Sequence, residues 1–123
     1  MIGEDARRFL QSTTKSVWIL ELMLLLRREA HRAWSAEELI HETRSSELVV
    51  REGLGTLGQA GLLVEEEAGR YRYRPAAPVL DAWVAEIQAA YSQRPSAVIR
   101  EIFSAPDTKI QSFADAFRIR GKD

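Results

Sequence analysis

Between Val17 and Leu26 the chain is apolar except for Glu21, with Val17, Trp18, Leu20, Leu22, Leu24 and Leu25 leaving few polar positions. This pattern predicts a helix over 15–30 that is covered on more than one side and forms the central pillar of the fold. Arg27 and Arg28 fall in its last turn, where cations suit the helix dipole. The apolar run is about half of what a membrane span needs, so it reads as a buried helix. Ser12, Thr13 and Thr14 are residue types that open helices, and the chain before them reads as another short helix or an arm.

Ser35 and Glu38 then give an S-x-x-E capping box with Trp34 just before it. Leu39 and Ile40 supply the apolar side of a short helix that ends near Glu42 or Thr43. Arg44, Ser45 and Ser46 follow as a turn, and Ser45 or Ser46 caps a third helix from about Glu47 to Ala60. Val50, Leu54 and Leu57 recur at spacings of four and three and mark its buried stripe. Gly61 stands where a left-handed residue ends a helix. Gly53, Gly55 and Gly58 inside the helix each cost roughly 1 kcal/mol against alanine. Either close packing or a locally weak helix accounts for them.

Leu62 to Glu67 reads as a strand, Ala68 and Gly69 as a tight turn, and Arg70 to Arg74 as a second strand that Pro75 stops. Its Arg-Tyr-Arg-Tyr-Arg alternation puts three arginines on one face and Tyr71 and Tyr73 on the other, toward the core. Val79 to Tyr91 is expected as a helix with Val79, Leu80, Trp83, Val84 and Ile87 along its apolar side. Pro95 and Ser96 open another, carrying Val98, Ile99, Ile102 and Phe103. Ser104 and Asp107 bracket Pro106 in a second capping signal, before a last helix with Ile110, Phe113, Ala114 and Phe117. The expected fold class is mainly α with a small β-hairpin, in two parts: 1–75, and a helical extension over 76–123 that packs on it. Trp18, Trp34 and Trp83 are expected in the core.

A chain of 123 residues with 46% hydrophobic and 28% charged residues is an ordinary globular domain. It has no cysteine, which removes disulfides, thiolate metal sites and cysteine redox sensing. His31 and His41 have no partners at ligand spacing and read as surface or structural groups, so no metal and no cofactor is expected. The N-terminus is charged and lacks an apolar signal core, which sets the expectation at a cytoplasmic protein with no membrane span. No acid pair comes with a nucleophile or oxyanion donors, so an enzyme is not expected. Gly53-x-Gly-x-x-Gly58 matches a dinucleotide-binding spacing in letters only, because it lies inside a helix and follows no strand. The formal net charge is −1, so any affinity for nucleic acid must come from a local arrangement of cations rather than a global excess.

The order helix, short helix, turn, helix, glycine, strand, tight turn, strand resembles the winged helix-turn-helix family of transcriptional regulators. Trp34-Ser-Ala-Glu-Glu-Leu-Ile40 and the stretch from Ser45 to Leu63 carry the resemblance, with Leu57, Gly61 and Leu62 matching the end of a recognition helix. It implies a DNA-binding regulator with a recognition helix at about 46–60 in the major groove and a wing at 62–74 on the backbone or minor groove. Carried over by position, the contact residues are Arg44, Ser45, Ser46, Val49, Arg51, Arg70 and Arg72, with Glu47 and Glu52 on the same helix. Arg51 suits a guanine edge, Ser46 a phosphate or base edge, and Arg44, Arg70 and Arg72 the backbone or groove.

Two expectations qualify this. Glu65, Glu66 and Glu67 lie opposite the wing arginines, so these six charges either pair across the hairpin as a solvated surface or leave the cations to DNA. The alternative to a DNA-binding regulator is a winged-helix adaptor that binds a protein partner and no DNA. The many apolar residues after Pro75 point to a homodimer through the C-terminal helices or to a partner site.

Overall fold

The computed structural model describes residues 2–104. In chain order it contains α1 (Glu4–Thr13), α2 (Val17–Arg28), β1 (Trp34–Ser35), α3 (Ala36–Thr43), α4 (Glu47–Gln59), β2 (Leu63–Glu66), β3 (Arg70–Tyr73), α5 (Pro78–Gln93) and α6 (Pro95–Ser104). The chain is therefore mainly helical with one small antiparallel sheet, whose strand order is β1-β3-β2. The expected last helix and the capping signal around Pro106 lie outside the described residues.

The first helix boundary differs from the sequence expectation. Ser12, Thr13 and Thr14 do not open α2. The Ser12 hydroxyl donates back to Phe9 O and the Thr14 hydroxyl to Leu10 O at 2.7 Å, an example of short polar side chains satisfying the preceding turn. Ser16 caps α2 instead, its Oγ accepting from the Ile19 N–H at 3.3 Å. From there α2 buries Ile19, Leu20, Leu22, Met23, Leu24 and Leu26 and forms the centre of the core. Trp18, expected inside, is 58% exposed. It lies on the α2 stripe with Glu21, Leu25 and Arg28, which borders only a shallow pocket beside Glu42, Thr43 and Ser45 at the α3–α4 turn. Val79 is likewise exposed at the start of α5.

The capping box at α3 is complete. The Glu38 N–H donates to Ser35 Oγ at 3.1 Å and the Ser35 N–H to Glu38 Oε1 at 2.9 Å. Arg44 ends α3 in the left-handed region at φ 56°, and this single residue turns the chain toward α4. Of the two candidate caps, Ser46 is the one used, its Oγ accepting from the Val49 N–H at 3.2 Å. At the far end of α4, Gly61 has φ 85°. The Gly61 N–H bonds Gly58 O and the Leu62 N–H bonds Leu57 O, a Schellman ending that delivers Leu62 into the core.

Trp34 and Ser35 pair with Tyr71 and Arg70, adding a third strand that hydrophobic periodicity did not reveal because two residues carry no period. In the hairpin, Leu63, Val64, Glu65 and Glu66 face Tyr73, Arg72, Tyr71 and Arg70. The turn takes three residues, Glu67–Gly69, rather than two, because β2 ends at Glu66, and Ala68 (φ 63°) and Gly69 (φ 66°) reverse the chain in the left-handed region. Tyr73 is buried and Tyr71 packs on the core edge, so the alternation puts the tyrosines inward. The helices α5 and α6 pack together and cover α1, with Phe9 and Trp83 in ring contact at 5.5 Å.

Candidate nucleic-acid interface

Arg51 stands one turn into α4 and Arg70 opens β3, yet the two reach neighbouring residues of the first turn of α3. Arg51 Nη2 lies 3.7 Å from a Glu37 carboxylate oxygen, and Arg70 Nη1 lies 3.4 Å from Glu38 Oε1. The start of α3 thus ties α4 to the hairpin and puts their cations on one side of the molecule. Arg51 and Tyr71 also line a shared groove of ≈ 470 Å³ between α4 and the hairpin, together with Leu54, Gly55, Gly58 and Leu63.

Each cation has its own setting. Arg51 is half exposed and donates from Nε to Glu47 Oε2 at 2.8 Å, one helical turn back. That hydrogen bond, with the negative charge of Glu47 and Glu37 beside it, raises the guanidinium pKa further. Arg72 donates from Nε to Glu66 Oε2 at 2.8 Å and from Nη1 to Ala30 O at 3.4 Å. Arg32 stacks over the Trp34 ring at 3.8 Å and shares Glu38 with Arg70. The Ser35 N–H bond to Glu38, with Arg32 and Arg70 near it, holds that carboxyl below its usual range. Arg44 is exposed and makes no ion pair among the described residues.

The remaining expected contact residues line the start of α4. Ser46 is exposed, and its hydroxyl oxygen is engaged as the cap while its proton stays available to donate. Ser45 and Val49 are half-buried. The exposed positions Glu47, Leu48, Arg51, Glu52 and Gly55 complete the outer face of the helix, with Leu48 76% exposed.

The expected pairing of the hairpin charges takes a mixed form. Arg72 pairs within the hairpin, to Glu66. Arg70 sits directly opposite Glu66 in register but turns to Glu38 of α3. Glu65 and Glu67 make no ion pair among the described residues, and both are exposed. The residues that sequence reasoning missed are Glu37 and Glu38. They read as a cap and a solvated face, and nothing in their spacing shows that the fold brings residues 51 and 70 to them. Over 35–74 the chain carries eight glutamates against five arginines, so this unit has a formal charge of −3 and its cations are local.

A part-buried polar cluster joins α2, β3 and α5. Asp81 of α5 accepts from Arg27 Nε at 3.0 Å and from the Tyr73 hydroxyl at 2.8 Å, and Arg27 also donates to Gln88. The two donors hold the Asp81 carboxyl below its ordinary value, with Arg27 contributing most. Burial and this acceptor push the Tyr73 hydroxyl pKa well up. On the next turns of α5, the Tyr91 hydroxyl donates to Glu21 at 2.6 Å, which raises its pKa to about 12. These groups join the helices to one another and to the hairpin.

Among the described residues no three His, Cys, Asp or Glu side chains are grouped to hold a metal ion, and no helix is long and apolar enough to cross a membrane. His31 and His41 are both exposed, with His31 Nε2 3.5 Å from Glu29. Comparison with protein-family models, with curated proteins and with solved structures gives no significant match.

Proposed function

We propose that the chain is a winged helix-turn-helix regulator that presents α4 to the major groove of duplex DNA and the β2–β3 hairpin to the backbone or minor groove. The observation that carries this reading is the convergence of Arg51 and Arg70 on the adjacent carboxylates Glu37 and Glu38. It gives a helix and a hairpin with cations on one side, the arrangement that this mode of binding requires. In this reading Arg51 addresses a guanine edge through its free guanidinium donors, Ser46 and Arg44 hold phosphates at the start of α4, Arg70 follows the backbone and Arg72 faces base edges in the minor groove. A homodimer formed through α5, α6 and the chain beyond them would match the two-fold repeats typical of operators.

Duplex binding measured against salt tests the reading. Two arginine–phosphate contacts, from Arg44 and Arg70, predict a slope of log affinity on log salt of about −2. Arg44→Gly keeps the left-handed turn that glycine adopts freely while removing one cation, so it should flatten that slope by about 1. Absence of duplex binding at low salt, or a slope near zero, would overturn the reading.

The adaptor reading has its own support: the −3 charge over 35–74 and the exposed Leu48 and Trp18, at 76% and 58%. A protein partner captured equally well by wild type and by the Arg70→Glu, Arg72→Glu double variant, with no duplex bound by either, would favour it.

A further inference from the structure

We infer that Glu37, Glu47 and Glu66 determine specificity by occupying Arg51 and Arg72 internally, so that phosphates of arbitrary sequence compete poorly for them; this inference rests on the DNA-binding reading above. Carboxylate and phosphate oxygens seek the same guanidinium donors. Arg51 already gives Nε to Glu47 at 2.8 Å and sets Nη2 3.7 Å from Glu37, while Arg72 gives Nε to Glu66 at 2.8 Å. Around Arg51 the local balance is one cation against two carboxylates. A phosphate arriving at the donors left free lies beside two carboxylates, like charge against like.

A base edge meets a different situation. Guanine O6 and N7 are neutral acceptors, and a guanidinium has five N–H donors, of which Glu47 and Glu37 engage one side. A base can share Arg51 with its glutamates, and the clamp pre-orients the guanidinium. Discrimination arises because the charged competitor is opposed more than the neutral one. Glu37 and Glu47 are 78% and 67% exposed, so solvent screens each pair and keeps the exchange reversible.

The same three elements contain a matched control. Glu42 of α3, Glu52 of α4 and Glu67 of the hairpin turn are exposed and pair with no arginine among the described residues. The full chain carrying Glu37→Gln, Glu47→Gln and Glu66→Gln is therefore compared with Glu42→Gln, Glu52→Gln and Glu67→Gln. The two triples remove the same charge from the same elements. Binding to a random-sequence duplex is read by fluorescence anisotropy over a salt series, with circular dichroism confirming the fold of each protein.

The first triple should bind random duplex roughly tenfold more tightly than the control triple, at about two- to fivefold per released arginine. Its salt slope should steepen by about 1–2 as Arg51 and Arg72 gain phosphates. Equal gains in both triples would show a general charge effect and overturn the inference. Wild-type binding that the first triple leaves unchanged would overturn it while sparing the DNA reading. No duplex binding by wild type or by the first triple, even at the lowest salt, would overturn both.

Discussion

At the residue scale, the three glycines of α4 serve different ends. A Cβ at Gly53 would lie 2.8 Å from Leu22 Cδ2 and 3.6 Å from Ile19 Cγ1, both on the buried side of α2. Gly53 therefore permits the close approach of α4 to the central helix. A Cβ at Gly55 or Gly58 would meet nothing within 4 Å, so packing within the chain does not require them. Gly55→Ala and Gly58→Ala should each stabilise the protein by roughly 0.5–1 kcal/mol, the helix-propensity difference. Gly53→Ala should destabilise it by about 1 kcal/mol or more, because overpacking a buried contact exceeds that gain. Urea unfolding of the three variants checks the contrast, and a stabilising Gly53→Ala would contradict the packing account. The sequence showed that the glycines were costly. It could not show which faced Leu22, since that depends on the crossing of two helices distant in the chain.

At the element scale, what was legible followed from local chemistry. The capping box at Ser35, the left-handed ending at Gly61 and the tyrosine-inward alternation of β3 all lie within a few residues of their cause, and the structure contains each. What was not legible depended on distant partners: the third strand at Trp34, the exposure of Trp18, and the reach of Arg70 to Glu38 rather than to the hairpin glutamates. Asp81 is of this second kind. It joins α5 to α2 through Arg27 and to β3 through Tyr73, and no motif announces it. Its carboxyl is held below the ordinary 3.8. Because the folded value is depressed, the associated stability is present above the unfolded pKa and is lost as pH falls through the lower folded one. Asp81→Asn should cost about 1 kcal/mol at neutral pH, a charged hydrogen bond discounted for the carboxylate's exposure. It should also make the fall in stability below about pH 4 shallower. Urea midpoints at neutral and acid pH measure both effects, and an unchanged acid limb would remove Asp81 as a contributor.

At the scale of the whole molecule, the division expected near Pro75 corresponds to one continuous core among the described residues. Val84 and Ile87 of α5 and Val98 and Ile102 of α6 belong to the same cluster as α2. Exposed apolar groups remain on the extension, Val79 at 48% and Phe103 at 70%, and the homodimer reading assigns such surface to a second copy. Light scattering across a concentration series should then give twice the chain mass, and Phe103→Glu should return the monomer. A strict monomer at high concentration would contradict the dimer. The surface with Arg44, α4 and the hairpin carries the functional claim, and its legibility was partial for a physical reason. Sequence order located the arginines and their nearby partners Glu47 and Glu66, but Glu37 and Glu38 are brought to Arg51 and Arg70 by the fold.

The most direct test of the central claim is backbone amide chemical-shift mapping of the labelled protein during titration with duplex DNA at low salt. The account predicts perturbations concentrated at residues 44–52 and 70–72, with α1, α5 and α6 largely unaffected. Perturbations confined to α1, α5 and α6, or none at saturating duplex, would contradict it.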